Sequence, residues 1–231
     1  MLSAIIVAGG SSQRMGFDKL FAVIAGEPVI VHTIRAFERA TSVNEIIVVV
    51  REERHDEIRK IIRDAGFKKV CSIVRGGERR QDSAHAGLDR VDRAAKYVAV
   101  HDAARPLITP EQIERAFAQC RVHGAAALAQ PINDTLKRAE DELLVVGSVD
   151  RHQLYAMQTP QVFERKLIED AYHAVYAENI SVTDEVSAVE RLGHRVALVL
   201  NDEFNFKITY PRDLAVAEFV LRQRKDPSVK L

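Results

Sequence analysis

The chain has 231 residues, 47% of them hydrophobic, and its 33 basic residues balance 33 acidic ones. That length supports one large core or two small ones. A net charge of zero excludes a globally basic nucleic-acid or anionic-membrane binder, so any anion site must be local. The cysteines, Cys71 and Cys120, lie far apart in apolar segments and read as free core thiols in a reducing compartment. Metal-binding spacings of the C-x-x-C or H-x-x-x-H type are absent, as are a charged leader and a long apolar run. The expectation is a cytoplasmic protein with no membrane span and no nucleic-acid partner.

A continuous apolar run predicts a first strand over 4–8. Then follow helix 28–40, strand 45–50, helix 53–65, strand 69–74, helix 80–91, strand 97–100, helix 110–122 and strand 125–129. Helices over 164–178 and 184–192, a strand over 195–200 and a helix over 211–224 complete the series. Runs such as IIVA and EIIVVV do not alternate, which suits strands covered by helices on both faces. The expected fold is therefore α/β and doubly wound, a mostly parallel sheet with right-handed crossovers. Thr109-Pro110-Glu111-Gln112 carries an N-cap hydroxyl, a proline at the first helical position and a capping-box glutamine. Gly66, Gly124 and Gly193 stand where helices should stop. Residues 134–161 lack a helical period and read as a hairpin-like excursion with a polar tip at 140–142. Such a segment is either a surface insertion or an arm that pairs with another subunit. The tail KDPSVKL reads as a frayed end.

Ligands of an open parallel sheet bind beyond the carboxyl ends of its strands. The loop 9–16, within AIIVAGGSSQRMGFDK, is thus a natural phosphate site, where glycine admits the backbone and N–H groups face an anion. It is not a dinucleotide fingerprint, because Gly9 and Gly10 are adjacent and Gly16 is distant. It is not a P-loop either, because Lys19 follows Asp18. It offers two fixed cations instead, Arg14 and Lys19. A planar fork and a point charge suit an attacked α-phosphate and a departing pyrophosphate, although solvated surface cations fit the same residues. In VRGGERRQDS, Gly76 and Gly77 can admit a flat base, with Glu78 and Ser83 at base or ribose edges. An ordinary turn capped by Asp82 or Ser83 also explains them. YVAVHDAARP delivers His101, Asp102 and Arg105 to a strand end. Asp102 there suits a Mg²⁺ shared with phosphates, or a pair with Arg105, while His101 reads as a packing residue. Arg151 and Thr159, then Thr183 before Asp184 and Glu185, then Lys207 and Thr209 supply a second phosphate-friendly set. Thr183 also reads as a helix N-cap followed by two acids that complement the dipole, and Arg151 and Lys207 also read as simply exposed cations.

The segments AGGSSQRMGFDK, GGERRQDS, HDAARP, NDTLK, DR…TPQ, TDE and FKIT occur here in an order and spacing that closely resemble one family. It is that of the 2-C-methyl-D-erythritol 4-phosphate cytidylyltransferases of the non-mevalonate isoprenoid pathway, and the resemblance covers about residues 3–222. It implies a Rossmann-like nucleotidyltransferase fold, one domain over 1–231, and a homodimer joined by a β-arm at about 134–161. It implies transfer of CMP from CTP to 2-C-methyl-D-erythritol 4-phosphate, with release of pyrophosphate and with Mg²⁺ as cofactor. By motif position, Arg14, Lys19, Arg151 and Lys207 resemble the catalytic cations. Ala8, Gly9, Gly10, Gly77, Glu78 and Ser83 resemble CTP-contacting positions, and Asp102 and Arg105 fall where the family meets metal, ribose or acceptor. Thr135, Arg151, Thr159, Thr183 and Lys207, with Asp102, fall on acceptor positions, some of them supplied by a partner's arm. The attacking group is already a phosphate anion, so no general base is required.

Three residues depart from the family pattern: Asp18 where proline is frequent, Glu78 where aspartate is common, and Tyr210 where arginine is frequent. The alternative acceptor is an alditol phosphate such as ribitol 5-phosphate. Enzymes of that kind share the first loop, but more often carry valine at the position of Ala104 and lack the TDE pattern. A non-catalytic nucleotide sensor has no need of the whole cation set. An NAD-dependent oxidoreductase is disfavoured by the missing fingerprint and the absence of an obvious Tyr-x-x-x-Lys motif.

Overall fold

The computed structural model describes residues 1–10, 15–226 and 228. In chain order its elements are β1 (Leu2–Ala8), β2 (Val23–Ile24), β3 (Glu27–Pro28), α1 (Val29–Arg39), β4 (Val43–Val50), a 3₁₀ turn Glu52–Arg54 and α2 (His55–Asp64). They continue as β5 (Val70–Arg75), α3 (Arg80–Leu88), β6 (Tyr97–Asp102), α4 (Pro110–His123), β7 (Ala125–Pro131), β8 (Leu136–Ala139), β9 (Val145–Val149) and β10 (Tyr155–Glu164). α5 (Arg165–Ala177), α6 (Glu185–Glu190), β11 (Ala197–Leu200) and α7 (Pro211–Lys225) close the chain. The expected strands and helices are present, with their ends displaced by a few residues.

Seven described strands form one sheet in the order β11-β7-β10-β6-β1-β4-β5. β1, β4, β5 and β6 run parallel, as do β7 and β11. β10 runs antiparallel to both of its neighbours. The non-alternating strands are explained by a core on each face. Ala4, Ile6, Ile46 and Val48 pack with Ile30, Ile34, Phe37 and Ile113 on one side. Ile5, Val7, Ile47 and Val49 pack with Leu88, Ile168, Tyr172 and Val189 on the other. Each fully buried large aliphatic side chain stabilises the fold by roughly 1.5–3 kcal/mol, which makes this double-sided seam the centre of the molecule's stability.

α4 begins as its sequence requires. Thr109 Oγ1 accepts from the Gln112 amide at 3.3 Å, and Gln112 Oε1 accepts from the Thr109 amide at 3.0 Å. Gly124 ends the helix at φ +78°, a left-handed conformation that glycine adopts without steric cost.

Three expectations are corrected. Residues 134–161 are not one excursion. Within that range only β8 and β9 form a separate two-stranded hairpin, while residues 155–161 belong to β10 in the central sheet. The sequence concealed this strand because its buried positions include Gln158, Thr159 and Gln161, and its register shifts between Met157 and Gln161. Cys120 is a core residue, but Cys71 is exposed on the edge strand β5. Finally, Thr183 does not cap α6. Asp184 does, its side chain accepting from the Ser187 amide at 3.0 Å.

Candidate active site

β1, β4, β5 and β6 end on one side of the sheet, and their connections diverge between β1 and β6. That is the switch point at which an open α/β sheet leaves a crevice. A cleft of about 400 Å³ lies there, floored by Val7 and Ala8 and walled by Gly9, Gly10, Lys19, Gly77, Glu78, Ser83, Asp102 and Lys207. Arg51, Arg79 and Arg80 complete the basic lining.

The two glycine loops converge on Ser83, which is buried on α3. A Cβ at Gly9 would lie 2.9 Å from Ser83 Oγ, and one at Gly76 2.7 Å from it. A Cβ at Gly77 would lie 2.4 Å from the Asp82 Cβ. A side chain at Gly9, Gly76 or Gly77 would have to displace Ser83 or Asp82, so glycine keeps the two loops close to α3. α3 starts at Arg80, and its first turn is closed by Asp82, which accepts from the Arg79 amide at 3.1 Å. Neither Asp82 nor Ser83 is the N-cap, a position held by Arg79.

Asp102, the last residue of β6, is the electrostatic centre. Its carboxylate accepts from Arg80 Nε at 3.0 Å and lies 3.1 Å from Lys207 Nζ and 3.6 Å from Arg105 Nε. Burial alone would raise its pKa, but the charges of Arg80, Lys207 and Arg105 outweigh burial and hold the carboxyl well below the ordinary range. Behind it, His101 is fully buried, with Nδ1 3.0 Å from Thr159 Oγ1, and burial pushes its pKa down to about 3. It is a neutral packing residue, as its sequence context suggested. Lys19 Nζ donates to the Ile208 carbonyl at 2.6 Å, tying the first loop to the FKIT segment. Asp18 accepts from Arg51 Nη2 and from Arg54 Nε, each at 3.1 Å, and so braces the residue before Lys19.

The cleft thus gathers Ala8, Gly9, Gly10, Lys19, Gly77, Glu78, Ser83, Asp102 and Lys207. Arg105 stands behind Asp102 and donates to the Asn205 carbonyl at 2.8 Å. Thr159 is buried and accepts from the Asp102 amide at 3.1 Å, so it orients the strand end. Thr135 and Arg151 are exposed at the base of the hairpin, where Arg151 donates to the Asn133 carbonyl, and Thr183 is exposed ahead of α6. None of these three lines the cleft of a single chain. Arg14 lies outside the described residues.

Arg80 was missed as a site residue. The available signal was its place in the first turn of a helix, where the dipole disfavours a cation unless acids hold it. Among the described residues no three His, Cys, Asp or Glu side chains cluster as a metal cage. Asp102 and Glu78 are the carboxylates on the cleft wall. That donor set suits an ion bound chiefly by phosphate oxygens rather than by protein alone.

Glycine loops at strand ends, a basic cleft and one central carboxylate on this sheet define a nucleotidyltransferase of the Rossmann-like kind. The family model for 2-C-methyl-D-erythritol 4-phosphate cytidylyltransferase matches residues 2–223, and the chain belongs to that family. It is 41% identical over 225 residues to the 2-C-methyl-D-erythritol 4-phosphate cytidylyltransferase of Caldanaerobacter subterraneus subsp. tengcongensis, covering 96% of this chain and 99% of that one. It is 39% identical over 227 residues to the enzyme of the same name from Alkaliphilus oremlandii, covering 97% and 96%. Among solved structures, the 4-diphosphocytidyl-2C-methyl-D-erythritol synthase of Anaerococcus prevotii superposes with a TM-score of 0.84 at 29% identity, covering 96% of this chain and 98% of that one. The cytidylyltransferase of Thermus thermophilus superposes with a TM-score of 0.76 at 27% identity, covering 94% and 98%.

Proposed function

We propose that the cleft at the ends of β1 and β6 is where this cytidylyltransferase transfers CMP from CTP to 2-C-methyl-D-erythritol 4-phosphate for isoprenoid precursor synthesis. The observation that carries this reading is the Asp102 carboxylate held among Arg80, Arg105 and Lys207 beside the two glycine loops. The base lies against Ala8, Gly9, Gly10, Gly77, Glu78 and Ser83, and the triphosphate runs toward Lys19. A phosphate oxygen of the acceptor forms the new bond to the α-phosphorus, and the α–β anhydride bond breaks as pyrophosphate leaves. The nucleophile is already an anion, so the protein's work is orientation and charge neutralisation. Lys19 and Arg14 meet the charge developing on the departing pyrophosphate. Lys207 draws the acceptor phosphate, and Asp102 orients the polyol beside it. Mg²⁺, when bound, would supply positive charge that offsets the negative charge at the reacting centre. Asp102 is the residue that would hold it with the triphosphate.

The acting unit in this reading is a homodimer of single-domain subunits in the cytoplasm. The exposed hairpin reaches a second copy and delivers Thr135 and Arg151 to its acceptor site, near Thr159 and Thr183. Two unpaired cysteines are in keeping with a reducing compartment, and no helix among the described residues is long and apolar enough to cross a membrane.

The test is pyrophosphate release with CTP and Mg²⁺, offering methylerythritol phosphate or ribitol 5-phosphate. Turnover with the first alone is expected. Turnover with ribitol 5-phosphate would keep the nucleotide half of the site and overturn the acceptor half.

A further inference from the structure

Glu185 is fully buried at the start of α6, yet it is a carboxylate. It accepts from Arg80 Nη1 at 2.8 Å and Nη2 at 3.0 Å, and from the Tyr172 hydroxyl at 2.9 Å. Its backbone amide donates to Gln161 Oε1 at 3.1 Å. A buried carboxylate is costly to desolvate, and an apolar residue of similar size commonly serves stability as well or better. The third nitrogen of the Arg80 fork, Nε, donates to Asp102 Oδ1 at 3.0 Å, while Asp102 Oδ2 faces Lys207 Nζ at 3.1 Å. The fork therefore has one fixed plane. Its far edge is clamped by Glu185, and its near edge sets which oxygen of Asp102 turns toward Lys207. A bidentate guanidinium–carboxylate pair is directional enough to fix that plane. It also keeps Arg80, which lines the cleft, from swinging onto an anionic triphosphate.

We propose that Glu185 is a positioning residue for the transfer reaction, acting through the Arg80 fork to hold Asp102 in the orientation that receives the acceptor. The inference rests on the reading that Asp102 faces the acceptor. It links α6, which follows the TDE motif's exposed Thr183, to the nucleotide-side helix α3. Glu185 itself touches no substrate.

The experiment is a double-mutant cycle of Glu185→Gln with Asp102→Asn. Pyrophosphate release is followed at saturating CTP with methylerythritol phosphate varied, and CTP affinity is measured separately by calorimetry without Mg²⁺, so that any hold of Asp102 on the ion does not enter it. Glu185→Gln is expected to lower kcat/KM for the acceptor about tenfold while CTP affinity is held or tightened. In the Asp102→Asn background the same change should cost less than about threefold, the mark of residues acting as one unit. Equal losses in both backgrounds, or a matching loss of CTP affinity, would overturn the proposal while leaving the site reading intact. Unaltered kinetics in Asp102→Asn alone would remove Asp102 from the site and this inference with it. Should Glu185→Gln fail to fold, the same split is read on Glu185→Asp. That variant keeps the charge but is one methylene too short to hold both ends of the fork.

Discussion

At the residue scale, Lys19 and Asp102 carry the largest expected effects. Lys19 stands on the cleft wall, anchored to the Ile208 carbonyl. Lys19→Ala is expected to cost at least ~10²-fold in kcat, the scale for removing one transition-state charge contact, while CTP still binds by calorimetry. Asp102→Ala and Arg14→Ala should cost as much, and wild-type turnover in all three would sink the site assignment. Asp18, the departure from the usual proline, pairs with two arginines that the proline would leave without that partner. His101 yields a pH prediction. Its folded pKa is pushed from 6.5 down to about 3 by burial, against the partial compensation of Asp102 and the Arg105 carbonyl. The unfolded chain takes up a proton below 6.5 and the folded one does not. This contribution is therefore complete above pH 6.5 and is lost as pH falls toward about 3. Urea midpoints measured from about pH 7 to about pH 4 should fall less steeply for His101→Gln than for the parent chain, and identical slopes would refute the assignment.

At the scale of elements, the contact of α3 with the sheet sets how closely the two glycine loops approach. Gly87 sits against β1 and β4, where an added Cβ would lie 2.4 Å from Ile5 Cγ2 and 2.9 Å from Val49 Cγ2. Gly87→Ala is expected to lower unfolding stability by about 1–3 kcal/mol through overpacking, read as a shift in denaturant midpoint at constant m-value. The ordinary outcome for glycine to alanine inside a helix is the reverse, a gain of about 1 kcal/mol from propensity. A stabilised variant would therefore show that α3 can lift from the sheet. β10 has the opposite character. Its buried Gln158 accepts from Asn201 Nδ2 and Asn205 Nδ2, each at 3.0 Å, and its Gln161 Nε2 donates to Asp184 Oδ2 at 2.8 Å. Polar bonds rather than an apolar run join this strand to the segments around α6 and β11.

At the scale of the whole molecule, the β8–β9 hairpin stands apart from the central sheet and carries Leu143, Leu144, Val145 and Val146 exposed at and after its turn. Leu143 is 85% exposed. Adjacent apolar side chains of this kind on a protruding element mark an interaction surface more often than a solvated one. Light scattering at micromolar protein is expected to give a dimer, and Leu143→Asp with Val145→Asp a monomer. The paired substitutions should also depress turnover, because Thr135 and Arg151 belong to the same arm. A monomeric parent chain with full activity would separate the hairpin from the reaction.

The sequence by itself determined the α/β alternation, the parallel strands β1, β4 and β6, the capping box of α4 and the loops that border the cleft. These follow from local pattern: apolar runs, hydroxyl and proline caps, and glycines at strand ends. Only the tertiary structure decided that β10 enters the centre of the sheet, because a strand held by buried glutamines and asparagines shows no apolar period. It also decided that Arg80 joins Asp102 to Glu185. Those residues are separated by 22 and 105 positions from Arg80, and a pair of opposite charges so far apart in the chain leaves no local mark. What the fold adds is the burial that makes their meeting costly and their geometry fixed.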